Sequence, residues 1–420
     1  MLSYEEIISG FSQKMLAGDH NHVVFLRNIK KRLGSPEQAF KTIHIAGTNG
    51  KGSTGMMIKG VLEHAGYKVG YFNSPALIDD REQISINNIL ISRNDFVATY
   101  YEILNKLSPD ESAKISVFEW WTLIMLVYFA NKKVDWAVIE CGLGGTDDAT
   151  NIINAPEYAI FTHIALDHIH ILGDTVEKIA KAKSGIIKYG TKATIIAPLQ
   201  QKAVVNIIKE KCSQAQVPLI LSDDIAKIKV HNRKINIIAT DFTLESSFSL
   251  LGEYQRENLK TVIALVKQLM REKVLISLMP LKQMLETIKI PARCEKIASL
   301  PDVLIDGAHN PDAAYNLAQT IISLRHGRRV IMILGFLKDK NYQKMIQIYQ
   351  EISHDFILTE PDNLQRKLPV AILAQNFKNH VMQAVNVRSA LKIARQNAKP
   401  DDLIVVTGSF YLVKDLINDD

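Results

Sequence analysis

The chain has 420 residues, is 47% hydrophobic and 22% charged, and carries a net charge of +6. That length buries a core without disulfide or metal staples and suggests two or three domains. No uninterrupted apolar run approaches the ~18 residues of a membrane span, the positive charge is not gathered into a basic arm that would track nucleic acid, and three scattered cysteines, Cys141, Cys212 and Cys294, give neither a disulfide framework nor paired metal-ligand spacing.

The cysteine usage fits a reducing, cytoplasmic setting. The opening MLSYEEIISGF has two early glutamates and lacks the basic-then-apolar order of a secretory signal. A mildly basic balance suits small polyanionic substrates such as nucleotides and polycarboxylates.

The first 40 residues read as helical, with apolar positions around Val23, Val24, Leu26 and Ile29. A short strand follows at Thr42–Ile45, then a glycine-rich turn at 47–52, a helix from Ser53 to about His64, and a strand through Val69–Phe72. This is a strand–loop–helix–strand unit of the parallel α/β kind. Trp120–Ala130 reads as a buried helix, bounded by Glu119 and Asn131. Further strands are expected at Trp136–Ile139, Tyr158–Phe161 and Ala193–Ala197. Alternation in Lys227–Val230 and Lys234–Ile238 suggests antiparallel hairpins, and Gly252 to Met270 a long helix. Pro291 and Pro301 bracket a linker-like stretch, beyond which Val303–Ile305, Val330–Leu334, Phe356–Leu358 and Leu403–Val406 are strands of a second α/β unit.

The strongest local signal is Ala46-Gly47-Thr48-Asn49-Gly50-Lys51-Gly52-Ser53, set between a strand and a helix. Glycines let backbone N–H groups close around phosphate oxygens, and the helix N-terminus adds positive potential. Lys51 is placed to pair with β/γ-phosphates and Ser53 to offer a hydroxyl to Mg²⁺. The pattern departs from G-x-x-x-x-G-K-[ST], because Gly52 intervenes between Lys51 and Ser53. Glu140 ends an apolar strand at the edge where open α/β sheets bind ligands, which suits Mg²⁺; a salt-bridged or capping glutamate fits the same position. His168 follows Asp167 after the next strand, and sequence alone leaves it open between a structural histidine and a metal ligand. In the helix after Asp174, which with Glu177 has capping-box spacing, Val176, Ile179 and Ala180 form the apolar face. Lys183 lies on that same face while Lys178 and Lys181 do not, so it either enters the interior or snorkels out of it.

With its surroundings, the loop resembles that of the Mur ligase family, in particular the folylpolyglutamate synthase and dihydrofolate synthase branch. Ser74-Pro75-Ala76-Leu77 looks like that branch's Ser-Pro-His-Leu, and Phe118-Glu119 with Thr122 like its Phe-Glu-x-x-Thr. Glu140-Cys141-Gly142-Leu143-Gly144-Gly145 with Asp148-Ala149-Thr150-Asn151 matches a long signature, as does Leu166-Asp167-His168 through Leu172-Gly173-Asp174-Thr175 to Lys183-Ser184-Gly185-Ile186. Gly252 with Gln255 and Asn258, Pro291-Ala292-Arg293, Asp306-Gly307-Ala308-His309-Asn310-Pro311 and Gly408-Ser409-Phe410-Tyr411-Leu412-Val413 continue the series in order; the last resembles Gly-Ser-Leu-Tyr-Leu-Val.

The resemblance implies a P-loop-containing, Mur ligase-like ATPase domain over residues 1–295 and a smaller Rossmann-like α/β domain over 296–420. It implies ATP-dependent ligation of L-glutamate to a folate carboxylate through an acyl phosphate, with dihydrofolate synthase or a bifunctional enzyme as the alternative. ATP would meet Thr48, Asn49, Gly50, Lys51, Gly52, Ser53, Asn258, Arg293 and Asp306. One Mg²⁺ would lie on Ser53 and a second on Ser74, Glu140 and His168. Lys183 would be the carbamylated lysine of the family, and Lys51, Lys183 and His309 would be the catalytic residues. Asp148 and Phe118 would face the pterin substrate. Partners would be folate or pteroate, L-glutamate and ATP, with no nucleic acid and no membrane, and the chain would act as a monomer. Four places depart from the branch: Ala76 for histidine, the acidic Asp79-Asp80-Arg81, Gln83 for arginine, and Thr146 for arginine. All fall in stretches associated with the pterin or folate, so a nucleotide-binding paralogue without folate chemistry stays open, while a simple kinase would have no need of the second metal set.

Overall fold

The computed structural model describes residues 2–11, 20–231, 233–378 and 381–417. It forms two compact units, one of residues 1–248 with 257–288 and one of residues 249–256 with 289–420.

The first unit is built on an eight-stranded sheet. Its strands in chain order are β1 (Lys41–Ala46), β2 (Val69–Phe72), β3 (Ile84–Ile86), β4 (Ile89–Leu90), β5 (Trp136–Glu140), β6 (Tyr158–Phe161), β7 (Ala193–Ile196) and β8 (Leu219–Leu221). In space the order is β4-β3-β2-β5-β1-β6-β7-β8, parallel from β2 to β8, with β3 and β4 added antiparallel at one edge. β1, β2, β5, β6 and β7 are buried along nearly their whole length, as strands covered on both faces must be. A separate antiparallel sheet, β9 (Ala226–His231), β10 (Lys234–Ala239) and β11 (Thr243–Ser247), follows with the alternating burial of a half-exposed ladder.

Helix Val117–Asn131 is apolar all round and buried from Glu119 to Phe129, the pattern of a helix with no solvent face. With Phe96, Phe72 and Ile84 it forms one core of this unit. Helices Val176–Lys183 and Lys202–Ala215 cover the other side through Ile179, Val204 and Ile208, packed with Ala46, Phe161 and Ile196. Helices Tyr4–Gly10 and His20–Arg32 bear out the early helical reading, except that residues 12–19 lie outside the described ones.

The second unit holds β12 (Glu295–Ala298), β13 (Asp302–Asp306), β14 (Val330–Leu334), β15 (Asp355–Leu358), β16 (Met382–Gln383) and β17 (Leu403–Thr407), in the order β12-β13-β17-β14-β15-β16. Its core joins Leu317, Ile321, Met332, Tyr349 and Val405. Here the linker-like reading of 291–300 is corrected. Glu295–Ala298 pairs antiparallel with β13 at the sheet's edge, and because none of its side chains is fully buried it lacks the apolar run that marks an inner strand. A second correction concerns the cap of helix Val176–Lys183. Thr175 has the extended cap backbone and its hydroxyl accepts from Lys178 N, whereas Asp174, one residue too early, pairs with the Lys178 amine at 2.8 Å. No helix among the described residues is long and apolar enough to cross a membrane.

At Gly70 in β2 the buried helix packs tightly on the sheet: a Cβ there would lie 2.7 Å from the Phe129 ring. Gly70→Ala is therefore expected to cost about 1–3 kcal/mol by overpacking, read as a lowered denaturation midpoint in urea; an unchanged midpoint would show that the ring can yield.

Candidate active site

In the first sheet β1 is followed by a crossover to β2 on one side, and β6 by a crossover to β7 on the other. Adjacent strands whose connections leave in opposite directions open a crevice at their carboxyl ends. The glycine loop sits in it. A Cβ at Gly47 would overlap Thr162 Oγ1 at 1.8 Å, so only glycine lets the loop cross the end of β6. Thr48 N and Asn49 N both donate to His163 O, at 2.9 and 3.1 Å, and the Thr48 hydroxyl donates to Ala165 O. Gly50, with φ 91°, precedes the first residue of helix Lys51–His64, and a Cβ there would lie 2.4 Å from Asn258 Oδ1. Asn258 therefore reaches the loop from helix Glu253–Arg271. Thr162 Oγ1 and Thr54 Oγ1, both buried here, have no hydrogen-bond partner among the described residues.

Two lysines converge on one carbonyl. Lys51 Nζ donates to Gly47 O at 3.1 Å, and Lys183 Nζ donates to the same oxygen at 2.9 Å. Val176, Ile179, Ala180 and Lys183 are all buried, so the lysine does enter the interior. Burial, and then the charge of Lys51, push Lys183 down from 10.5 to about 7, against partial relief from Cys141, Asp167 and Asp148.

Two glycine contacts hold the end of this helix. Thr146 N and Oγ1 both donate to Ala182 O, at 2.7 and 2.9 Å, while a Cβ at Gly145 would lie 2.4 Å from Lys183 O and one at Gly185 2.3 Å from Thr146 Oγ1. Asp148 is buried and organises the same loop, accepting from Leu143 N at 2.7 Å, Thr150 N at 3.0 Å and the Thr150 hydroxyl. Burial raises its carboxyl, against those hydrogen bonds and Lys183.

Glu140, at the end of β5, is buried and accepts a hydrogen bond from the Tyr71 hydroxyl. Its Oε1 lies 3.2 Å from where a Cβ at Gly55 would stand, so the glycine lets this carboxylate approach the helix that begins with Lys51. Ser53, on that helix, is buried. Phe118 packs its ring on Gly142, where a Cβ would be 2.5 Å away, and lies 5.7 Å from Phe72. His168 is exposed, with a left-handed backbone, and accompanies Asp167, whose Oδ1 accepts from His168 N at 2.8 Å. Ser74 is half-buried. No group of three or more histidine, cysteine or acidic side chains able to hold a metal occurs among the described residues. Ser53, Ser74 and Glu140 offer oxygen donors of the kind Mg²⁺ takes, whereas the His168 imidazole is not among its usual ligands.

In the second unit, Asp306 pairs with Thr407 in register, which sets the loop after β13 beside the loop after β17. Asp306 is buried and accepts from Ala308 N at 2.7 Å, Cys294 N at 2.8 Å and the Tyr254 hydroxyl at 3.2 Å. Burial raises its carboxyl, with Arg293 the main opposing influence. The Arg293 guanidinium stands 4.3 Å from the centroid of Phe410, and the His309 ring is 5.7 Å from that same ring. Arg293 is flanked by Ala292 and Cys294, both at positive φ, a conformation that costs about 1–3 kcal/mol each and persists where surroundings enforce it. His309 Nδ1 is 3.0 Å from Gly307 O.

The chain matches the family model of the Mur ligase middle domain over residues 45–266 and that of the Mur ligase glutamate ligase domain over 292–410. It is 31% identical over 404 residues to the dihydrofolate synthase/folylpolyglutamate synthase of Bacillus subtilis, covering 93% of each chain. It is likewise 31% identical to the folylpolyglutamate synthase of Lacticaseibacillus casei, covering 98% of this chain and 97% of that one. Among solved structures, E. coli FolC in complex with ADP superposes with a TM-score of 0.87 at 25% identity, covering 99% of this chain and 96% of that one. The chain belongs to the Mur ligase family, in its folylpolyglutamate synthase and dihydrofolate synthase branch.

As a Mur ligase it is an ATP-dependent, ADP-forming ligase. Among the expected residues, the structure brings Gly47–Ser53, Asn258 and Lys183 to one loop, and Glu140 against the helix that loop begins. In the second unit it brings Arg293, Asp306 and His309 around Phe410 and Tyr254. Tyr71, Thr162 and Tyr254 were not read as site residues from the sequence, and Phe410 was named only within the closing motif. A tyrosine inside a fully buried strand such as β2 needs a partner for its hydroxyl, which was the available signal for Tyr71. Phe410 stands where the branch's closing motif has leucine, and its ring is what Arg293 rests on. Of the departures, Gln83 is buried with its amide on Asp80 O, and Thr146 bonds Ala182 O.

Gly145→Ala, by pressing on Lys183 O, is expected to lower ligase turnover on the order of 100-fold with little change in overall fold, checked by steady-state kinetics beside circular dichroism. A lysine titrates near 10.5 when unfolded and near 7 here, so the unfolded chain binds the extra proton between those values. The burden on folding is complete below pH 7 and eases as pH rises toward 10.5. Lys183→Met should thus raise Tm most at pH 6 and progressively less toward pH 10; a pH-independent difference would contradict a neutral Lys183.

Proposed function

We propose that this Mur ligase joins L-glutamate to a folate carboxylate, as a tetrahydrofolylpolyglutamate synthase, through an acyl-phosphate intermediate. The observation that carries the reading is the convergence of Lys51 and the buried Lys183 on Gly47 O, with Glu140 against the helix that follows. This is a phosphate loop whose neighbouring lysine is held near neutrality, the state in which an amine accepts CO₂. The neutral Nζ forms an N–C bond to CO₂ as one C=O π bond opens, and it releases a proton to water, so a neutral amine becomes an anionic carbamate.

In this reading, Thr48 to Ser53 cradle the phosphates of ATP and Asn258 fixes the loop at Gly50. Ser53 would hold one Mg²⁺, and Ser74, Glu140, His168 and the Lys183 carbamate a second. The metal ions supply Lewis-acid neutralisation of phosphate charge. The substrate carboxylate attacks the γ-phosphorus, the bond to the bridging oxygen breaks, and ADP departs. The amine of glutamate then attacks the acyl carbon and phosphate leaves. Lys51 and Arg293 offset charge on the transferring group. Asp306, oriented by the Cys294 and Ala308 N–H groups, accepts from ribose hydroxyls, and His309 stands beside it. Phe118, on the Gly142 side of the loop, faces the pterin, with Asp148 shaping the loop beneath. The chain acts on small molecules as a cytoplasmic monomer.

A second reading, dihydrofolate synthase or both activities in one chain, is favoured by the presence of Asp148 and Phe118 at the Glu140 loop and by the double name of the Bacillus subtilis relative. Phosphate release should be measured with dihydropteroate, tetrahydrofolate and its one-carbon forms, each with and without glutamate. Glutamate-dependent release with the tetrahydrofolates is expected; release with dihydropteroate alone would favour the second reading, and release with none of them would sink both.

A further inference from the structure

A cavity of about 830 Å³ opens in the first unit between helix His20–Arg32, the 146–155 loop and helices Val176–Lys183 and Lys202–Ala215. Its lining holds six cations, Arg27, Lys30, Lys31, Lys181, Lys188 and Lys211, against one acid, Glu210. Elsewhere this chain's lysines tend to find carboxylates, as Lys132 does Asp95, Lys178 Asp174, Lys192 Glu157 and Lys267 Asp241. Around the cavity, among the described residues, only Lys30 does, pairing with Glu37. Arg27 donates to Asn151 O at 3.2 Å, and Lys188 donates to Ile153 O at 2.6 Å and Asn151 O at 3.1 Å, so both are held in place by neutral backbone. Lys31, Lys181 and Lys211 make no ion pair among the described residues. Burial, then Arg27 and Lys30, push Lys188 down to about 7, a sign that positive charge is already crowded there.

Unrelieved like charge around a concave, partly desolvated space favours an incoming anion. We propose that this cavity binds a compact polyanion carrying two or more negative charges. Thr146, where the branch has arginine, is part of its wall, and its short side chain is drawn back onto Ala182 O. The same wall includes Lys181, Ser184 and Gly185, so an occupant lies against the far side of the helix end that carries Lys183. Two sources share the chemistry: an oligophosphate, and an oligo-γ-glutamyl chain of the kind the proposed reaction lengthens. The second source rests on that proposed function; the site does not.

The test is calorimetric titration of the full chain with tripolyphosphate and, separately, tri-γ-glutamate, in the presence of saturating ADP to occupy the phosphate loop. One equivalent of at least one probe should bind, with affinity falling as salt rises. Lys31→Glu with Lys211→Glu, at positions without ion pairs, should weaken binding roughly tenfold or more while leaving Tm and basal turnover unchanged. Lys181→Glu alone should weaken it in the same direction. The tighter probe identifies the source. Absence of binding by both probes, or equal binding by the double variant, overturns the proposal, whereas ADP that fails to bind would count against the ligase reading instead.

Discussion

A buried amine donating to the backbone carbonyl of a phosphate loop is the contact around which this site is organised. Lys183 can occupy that place only if the end of its helix is pinned and the loop is free of side chains where the two meet. Both conditions hold. Thr146 fastens Ala182 O, Gly145 leaves space for Lys183 O, and Gly47 gives the loop room to cross the end of β6. Removing the lysine from water is costly for its charged form, and the nearby Lys51 adds to the cost. The arrangement favours the neutral amine, so the helix, the loop and the chemistry of the site are parts of one constraint.

Around it the fold distributes tasks by strand ends. β1 delivers the phosphate loop, β5 delivers Glu140, and β6 delivers the Thr162–His163 backbone that the loop hydrogen-bonds. In the second unit β13 and β17 end side by side, and Asp306, His309 and Phe410 come from the loops that follow. Glycine marks each close approach: Gly55 for Glu140, Gly142 for Phe118 and Gly307 for Phe410. These are contacts in which a single added carbon would have to displace a ring or a carboxylate.

The departures from the branch pattern divide by environment. Gln83 and Asp79-Asp80-Arg81 are absorbed by local structure, the first bonding Asp80 O and the last closing an Asp79–Arg81 pair. Thr146 does more, since it ties the Glu140 loop to the lysine helix and lines the basic cavity. Nothing in the structure explains Ala76.

Much was legible in the sequence because it depends on local patterns. Strands buried on both faces announce themselves as apolar runs, so β6 and β14 matched their expected limits. The glycine loop between strand and helix, and the place of Lys183 on the apolar face of a short helix, follow from periodicities of one turn or one strand. What the sequence could not decide was which distant groups would meet. The sharing of Gly47 O by Lys51 and Lys183, the Tyr71 bond to Glu140, the Phe410 ring under Arg293 and the crowding of Lys31, Lys181 and Lys211 around one cavity all join residues far apart along the chain. Strand order sets those meetings, and strand order is a property of how whole elements pack rather than of any stretch of residues. The sequence by itself determined the loop, the family and the helix face that carries Lys183; the tertiary structure decided that this lysine turns inward, what it touches and, through burial, which way its pKa moves.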